Sequence, residues 1–273
     1  MCYTYQGYIL KCLECIHTSK KKILWFVILA VAIAAFTACV IYFVVDYFHY
    51  KSITNIVNPS ISSEAVSSKK EVSVPVDFDE LTALNNDIYA WIRIPYAGET
   101  DKFIVDYPIL QNEESRNYYL NHNVNRKSSV YGAIYTQDYN EKDFSDFNTL
   151  IYGHNMRNGT MFGTLKKYRD EAFFKENNEI YIYQPGRILK YKIFAAYVFD
   201  DRHILMHFDN DIENERQQYL DTVFSERKLS ANFDKDITVT TKDKIITLST
   251  CTSKDNERYL VQGVLVYDSD ADS

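Results

Sequence analysis

The chain is short of cysteine where cysteines would be expected to pair. Of its five, Cys2, Cys12, Cys15 and Cys39 lie before or inside an uncharged run at residues 23–45, and only Cys251 lies beyond it. The run has no Asp, Glu, Lys, Arg or His, and at 23 residues it exceeds the ~20 that cross a bilayer as a helix. Its length also argues against a cleaved secretory signal, whose apolar core spans roughly 7–15 residues. Phe36-Thr37-Ala38-Cys39 loosely resembles a lipoprotein cleavage site, but the apolar run continues past Cys39 to Val45. Clustered basic charge is missing from the remainder. The net charge is −7, residues 1–45 contribute +3 from four lysines and one glutamate, and the rest therefore carries −10. That excludes a nucleic-acid partner, which requires grouped Lys and Arg. Internal repeats are also lacking.

Lys20, Lys21 and Lys22 precede the apolar run, so the positive-inside rule predicts a cytoplasmic amino terminus and an extracellular carboxyl-terminal bulk. Trp25, Tyr42 and Tyr47 fall near the two ends, at interfacial depth. The expected organisation is a cytoplasmic tail at 1–22, a membrane anchor at 23–45, a flexible stalk at 46–76 and one domain at 77–273. The stalk reading rests on seven serines and two prolines between Ser52 and Pro75. Cys12-x-x-Cys15 has redox or metal spacing, but without a second pair it reads as a reduced cytosolic tail. Outside the cell thiols pair, so a lone Cys251 is either incidental or a nucleophile.

The domain reads as mainly β. Asp77 caps a helix predicted to run to Trp91, with Phe78, Leu81, Leu84, Ile88 and Trp91 on one stripe. Strands are predicted at Phe103–Val105, Tyr107–Leu110, Val130–Tyr135, Thr149–Tyr152, Glu179–Tyr183, Leu189–Phe199, Ile237–Thr241, Lys244–Thr250 and Tyr259–Tyr267, all rich in β-branched and aromatic residues. Short helices are expected around Met161–Phe174. A long helix at Asp211–Lys228 interrupts the late strands, with Ile212, Tyr219, Leu220, Val223 and Phe224 on one face. A closed or nearly closed β-barrel decorated by helices follows.

The chemistry concentrates at the last hairpin. The strand Lys244–Thr250 delivers Cys251, and seven residues later Arg258 opens the next strand. Alternation puts Thr247, Ser249 and Cys251 on one face, with Ile246 and Leu248 pointing into the core. An antiparallel return brings Arg258 to Cys251 at one rim, where a fixed cation favours a thiolate or steadies an oxyanion. Lys254 lies in the same loop. Of six histidines, His17 is in the tail, His49 is at the membrane edge and His122 is in a polar loop. His203 and His207 are four apart but lack a metalloprotease carboxylate motif, so no metal site and no cofactor are predicted. His154 follows the apolar strand Thr149–Tyr152 through Gly153, the rigid placement that suits a catalytic group. For a lone histidine, a structural role is the ordinary alternative.

These residues resemble a family. Thr247-Leu248-Ser249-Thr250-Cys251, Leu150-Ile151-Tyr152-Gly153-His154-Asn155-Met156 with Met161-Phe162, and Arg258 match class B sortases, membrane-anchored cysteine transpeptidases of Gram-positive bacteria. Trp91-Ile92, Asp106-Tyr107-Pro108-Ile109-Leu110-Gln111 and Tyr118-Tyr119-Leu120-Asn121 are similar too, as is the helix at Asp211–Lys228, which distinguishes class B from the shorter class A. The resemblance covers roughly Asp77 to Tyr267. It implies a sortase-like barrel of about eight strands with an N-terminal helix. It implies Cys251 as nucleophile, His154 as acid and base and Arg258 at the oxyanion, and makes Ser249 and Thr250 candidate substrate contacts. An ordinary strand position remains the other reading of Ser249. The implied partners are secreted proteins with a C-terminal sorting signal, cleaved after threonine, and a peptidoglycan amine that receives them; membrane lipid meets the N-terminal helix. A pilin-polymerising enzyme and a plain surface cysteine endopeptidase share these residues, whereas a non-enzymatic adhesion domain would leave their coincidence unexplained. The resemblance favours a motif such as Asn-Pro-x-Thr-x over Leu-Pro-x-Thr-Gly. One departure stands out: where some class B members carry a substrate-holding asparagine, this chain has Arg116, with Asn112 and Asn117 nearby.

Overall fold

The computed structural model describes residues 24–45, 48, 72–226 and 231–271. The expected cytoplasmic tail, Lys20–Lys22, Tyr47, His17, His49, Cys12, Cys15 and nearly all of the stalk lie outside the described residues. The chain divides into two units, residues 1–52 and 53–273.

In the first unit, helix α1 spans Leu24–Val45. At 1.5 Å per residue it is about 33 Å long, matching an apolar bilayer core. Its side chains are exposed all round, and the Thr37 hydroxyl donates to the Ala34 carbonyl at 2.9 Å, so its polar group is satisfied within the helix.

The second unit begins with α2 (Phe78–Leu84), where the Asp77 carboxylate accepts from the Glu80 N–H. The expected continuation to Trp91 does not occur. The Asn85 side chain is buried and donates to the Tyr119 hydroxyl and the Val124 carbonyl, and the helix stops there. Ile88 and Trp91 belong instead to β1 (Ile88–Pro95), which bonds β2 (Phe103–Leu110) on one edge and β5 (Glu179–Gln184) on the other.

The remaining strands are β3 (Ile134–Tyr135), β4 (Asn148–Tyr152), β6 (Arg187–Asp200), β7 (Asn232–Phe233), β8 (Ile245–Cys251) and β9 (Glu257–Asp268). Their order is β5-β1-β2-β3-β4-β8-β9-β6-β7, and β5 also bonds β6. That last pairing closes an eight-stranded barrel, with β7 outside the closure. The first half of β6 bonds β5, and beyond it β7 takes the same edge at Ala195 and Ala196. The expected strand Ile237–Thr241 is absent. Thr240 instead turns on the Asp243 carboxylate while Val239 packs into the core. The residues predicted as a strand from Val130 pair only at Ile134 and Tyr135, because Gly132 turns the chain with φ at +57°.

A 3-10 turn at Leu165–Arg169 and helix α3 (Glu171–Glu176) follow β4. Helix α4 (Ile204–His207) and the inserted α5 (Glu213–Ser225) follow β6. Tyr219, Leu220 and Val223 of α5 pack against Phe194, Tyr197, Leu150, Ile245 and Leu260, so α5 covers the outside of the barrel beside β8. Burying Leu220 and Val223 contributes roughly 1.5–3 kcal/mol each. Ile212 precedes this helix and is exposed, as is Phe224 in part, so the apolar face is narrower than expected. The odd-numbered face of β8 is not open either. The Thr247 hydroxyl donates to Asn148 Oδ1 and accepts from Gln262 Nε2, which also donates to the Tyr219 hydroxyl. This buried network ties α5 to the strand that carries Cys251.

Candidate active site

Strand β8 ends on Cys251, exposed where the buried run Ile245–Thr250 stops. Cys251 is the cross-strand partner of Arg258, so the two side chains share a face and a rim. Strand β4 lies parallel to β8 with Tyr152 opposite Ser249. Two residues further along each chain come His154 and Cys251, so parallel pairing delivers both to one place.

Gly153 between Tyr152 and His154 is dictated by space. A Cβ there would lie 2.4 Å from Ile134 Cδ1 and 2.8 Å from Phe162 Cδ2. The turn is laced to β8 on both sides: Gly153 N–H donates to the Ser249 carbonyl at 3.2 Å, and the Thr250 hydroxyl donates to the Gly153 carbonyl at 2.6 Å. Asn155 Nδ2 donates to the Cys251 carbonyl at 2.8 Å, fixing the backbone of the cysteine itself. His154 Nε2 lies 2.6 Å from the Leu120 carbonyl. A carbonyl only accepts, so Nε2 carries the hydrogen and Nδ1 is left for proton exchange.

Arg258 is anchored through Nη1, which donates to the Asp255 and Glu257 carbonyls at 2.8 and 3.0 Å. Lys254 pairs with Glu257 at 2.9 Å.

A cavity of about 310 Å3 joins these groups, lined by Cys251, His154, Arg258, Ser249 and Thr250 together with Tyr135, Tyr152, Asn117, Gln137 and His203. Burial pushes the Tyr135 phenol up to about 12, with negative charge on the nearby Cys251 sulfur adding to the effect. Burial likewise raises Tyr152, while the Arg258 cation acts in the opposite direction. Both phenols are therefore neutral donors on the groove wall. Burial holds His203 below the ordinary histidine range, and the Arg116 cation works the same way.

His203 and His207 do not share a helix face: His203 precedes α4 and turns to Gln137 at 2.6 Å, while His207 meets Arg202 at 3.0 Å. Arg116 is not among the residues that line the cavity; it is paired with Asp138 and stacked 4.3 Å above the Tyr139 ring. His122 sits in its loop with its ring on Tyr118.

A model of the Sortase domain matches residues 92–266. The chain belongs to the sortase family, class B. It is 32% identical over 222 residues to Sortase B of Listeria monocytogenes, covering 80% of this chain and 85% of that protein. The solved sortase B of Bacillus anthracis superposes with a TM-score of 0.65 at 27% identity, over 82% of this chain and 97% of that one. A class B sortase of Streptococcus pyogenes involved in pilus biogenesis gives a TM-score of 0.58 at 29% identity, over 72% of this chain and all of that one. This sortase is thus a cysteine transpeptidase on an eight-stranded barrel. Sequence reasoning picked out the residues at the strand ends. Asn155 and Leu120 stood only inside matching motifs, Asn117 only as a neighbour of Arg116, His203 only as half of a rejected metal pair, and Gln137 carried no signal.

Proposed function

We propose that this sortase cleaves a C-terminal sorting motif after threonine and joins the protein to a cell-wall amine. The thiolate of Cys251 attacks the threonine carbonyl, and Arg258 steadies the oxyanion that forms. The C–N bond breaks as His154 Nδ1 gives a proton to the leaving amine, and a thioester remains on Sγ. The incoming amine loses its proton to His154, attacks the thioester, and releases Sγ as thiolate. Ser249 lies along the bound peptide. Thr250 holds the turn that presents His154. The single observation that carries this reading is the convergence of Cys251, His154 and Arg258 on one cavity from three separate strand ends.

The anchor supports the same role. Lys20–Lys22 before α1 favour a cytoplasmic amino terminus, with the domain at 77–273 outside and residues 46–76 as its tether. Confinement of enzyme and membrane-tethered substrate to one surface raises their effective concentration.

The test is to incubate the full chain with a library of threonine-containing peptides, with and without triglycine, and to follow Cys251 by mass spectrometry. A thioacyl adduct on Cys251 and an amide-exchanged product are expected. Water-cleaved product alone, at every amine concentration, would reduce the enzyme to an endopeptidase. Exchange onto a lysine side chain in preference to triglycine would move it to pilus assembly, the role of the Streptococcus pyogenes relative.

A further inference from the structure

His154 is held by a backbone carbonyl, and that carbonyl is not on a strand. Leu120, which supplies it, closes the short turn Tyr118–Leu120, and its own side chain is 46% exposed and gives the turn little grip. The grip comes from Tyr119, the buried residue of the turn. Its ring sits in the core cluster with Phe78 and Leu81 of α2, Trp91 of β1 and Leu110 of β2. Its carbonyl accepts from the Ala133 N–H at 2.9 Å, and its hydroxyl donates to Asp87 Oδ2 at 2.6 Å. The residue next to Leu120 is thus pinned at both backbone and side-chain tip.

Asp87 lies between α2 and β1, and its carboxylate gathers three points of the β2–β3 connection. Oδ2 accepts from Tyr119 and from Asn112 Nδ2 at 3.0 Å, and Oδ1 pairs with Arg126 Nη2 at 3.1 Å. Asn85, which ends α2, completes the cluster. Its Nδ2 donates to the Tyr119 hydroxyl at 2.8 Å, and its Oδ1 accepts from Arg126 Nε at 3.1 Å and from the Asp87 N–H at 3.0 Å. Both Asp87 oxygens and both Asn85 amide atoms are therefore partnered, and the Asp87 side chain is only 15% exposed. Charge-assisted bonds in such a setting fix a hydroxyl in one place.

An imidazole can carry its hydrogen on either nitrogen. The Leu120 carbonyl, 2.6 Å from Nε2, favours the hydrogen there and leaves Nδ1 for proton exchange. If the turn drifts, Nε2 loses its acceptor, and both the tautomer preference and the ring orientation weaken.

We propose that Tyr119 and Asp87 are positioning residues for His154: the hydrogen bond between them fixes the Tyr118–Leu120 turn, which holds the imidazole in the tautomer and orientation that present Nδ1 to the amine. The imidazole is thereby set from the end of α2, the first helix after residues 46–76. This rests on the transpeptidase reading above and deepens it.

The test uses the full chain in detergent micelles. Tyr119→Phe keeps the ring in the core and removes only the hydroxyl. On a peptide that the wild type processes, kcat should fall about three- to ten-fold, the worth of one hydrogen bond, and by more than KM rises. Asp87→Ala should do the same, and the double variant should fall no further than the larger single, because the two side chains form one link. Ile88→Val trims the same core cluster without touching that link, so it should lose Tm and keep the wild-type kcat. Ring-nitrogen NMR shifts of His154 at alkaline pH, assigned by their absence in His154→Gln, read the tautomer without substrate. The wild type should show the hydrogen on Nε2, and Tyr119→Phe should draw the two shifts together. Wild-type kcat in Tyr119→Phe would overturn the inference, as would an equal loss of kcat in Ile88→Val. So would a fall in kcat with the ring shifts unchanged, since Tyr119 would then act on the groove and not on the imidazole. Tyr119→Phe reports even if Asp87→Ala does not fold. Failure of the transpeptidase reading looks different: the wild type itself forms no thioacyl adduct with any peptide, while the ring shifts still decide whether Tyr119 sets His154.

Discussion

The Thr250 hydroxyl donates to the Gly153 carbonyl at 2.6 Å, and through that bond the strand that ends on Cys251 holds the turn that carries His154. Thr250 is buried. Thr250→Val keeps the shape and removes the donor, leaving a carbonyl short of its partner. The expected cost is about 1–3 kcal/mol of stability, with kcat falling more than KM rises. Denaturant midpoints and steady-state kinetics check it. A variant with unchanged kcat would mean that the Gly153 N–H bond to Ser249 suffices to place His154.

Gly132 supports the same imidazole from below. Its φ is +57°, and a Cβ there would lie 2.6 Å from the Tyr119 carbonyl, 2.7 Å from the Leu120 carbonyl and 3.1 Å from His154 Cδ2. The Leu120 carbonyl is the group that holds His154 Nε2. Gly132→Ala therefore strains the backbone and pushes on both partners of that hydrogen bond. It should lower kcat/KM roughly 100-fold, as ångström-scale misplacement does, and cost about 1–3 kcal/mol. Circular dichroism melts separate the two effects: full activity in a destabilised protein would show that the histidine does not depend on Leu120.

Much of the site was legible because its chemistry lies at strand ends. Period-two runs of Ile, Leu and Thr mark β4 and β8, and the first polar residues after them are His154 and Cys251. Arg258 followed from hairpin arithmetic, though β9 opens at Glu257. Strand β1 was misread because Ile88 and Trp91 extend the helical spacing of Phe78, Leu81 and Leu84. Only the tertiary partners of Asn85 stop that helix. Ile237–Thr241 has strand composition but no ladder, which no local signal reveals. The hydrogen bonds that join His203 to Gln137 and Gln137 to Asn117 on the cavity wall could not be read from the sequence for another reason. The three residues are separated by 20 and 66 positions along the chain, and each is an ordinary loop residue until the barrel closes.

His203 gives a pH signature of its own. Burial, with the Arg116 cation adding, holds it below the ordinary value of 6.5, so the unfolded chain takes up a proton before the folded one does. The stability associated with neutral His203 is therefore fully present above 6.5 and declines as pH falls from there toward the folded value. Carboxylates titrate over the lower part of the same range, so the useful quantity is a difference. Between about pH 8 and about pH 5 the wild type should lose more Tm than His203→Gln, the gap opening only on the acid side. Parallel Tm curves would show that His203 meets protons as easily folded as unfolded.

Arg258 spends Nη1 on two backbone carbonyls, at Asp255 in the loop and Glu257 at the start of β9, while the residue lines the cavity beside Cys251. Anchor and reach thus come from different atoms of one planar group. A lysine has a single nitrogen and cannot do both. Arg258→Lys should therefore fall nearly as far as Arg258→Ala, by about 100-fold or more in kcat/KM, the loss expected when an oxyanion donor is removed. Charge alone would predict otherwise, since both side chains are cations. The rate of Cys251 alkylation by a small neutral thiol reagent decides where the arginine acts. If alkylation persists while acylation collapses, Arg258 serves the oxyanion. If both fall together, its work is on the sulfur, and the oxyanion must be held by backbone N–H groups instead.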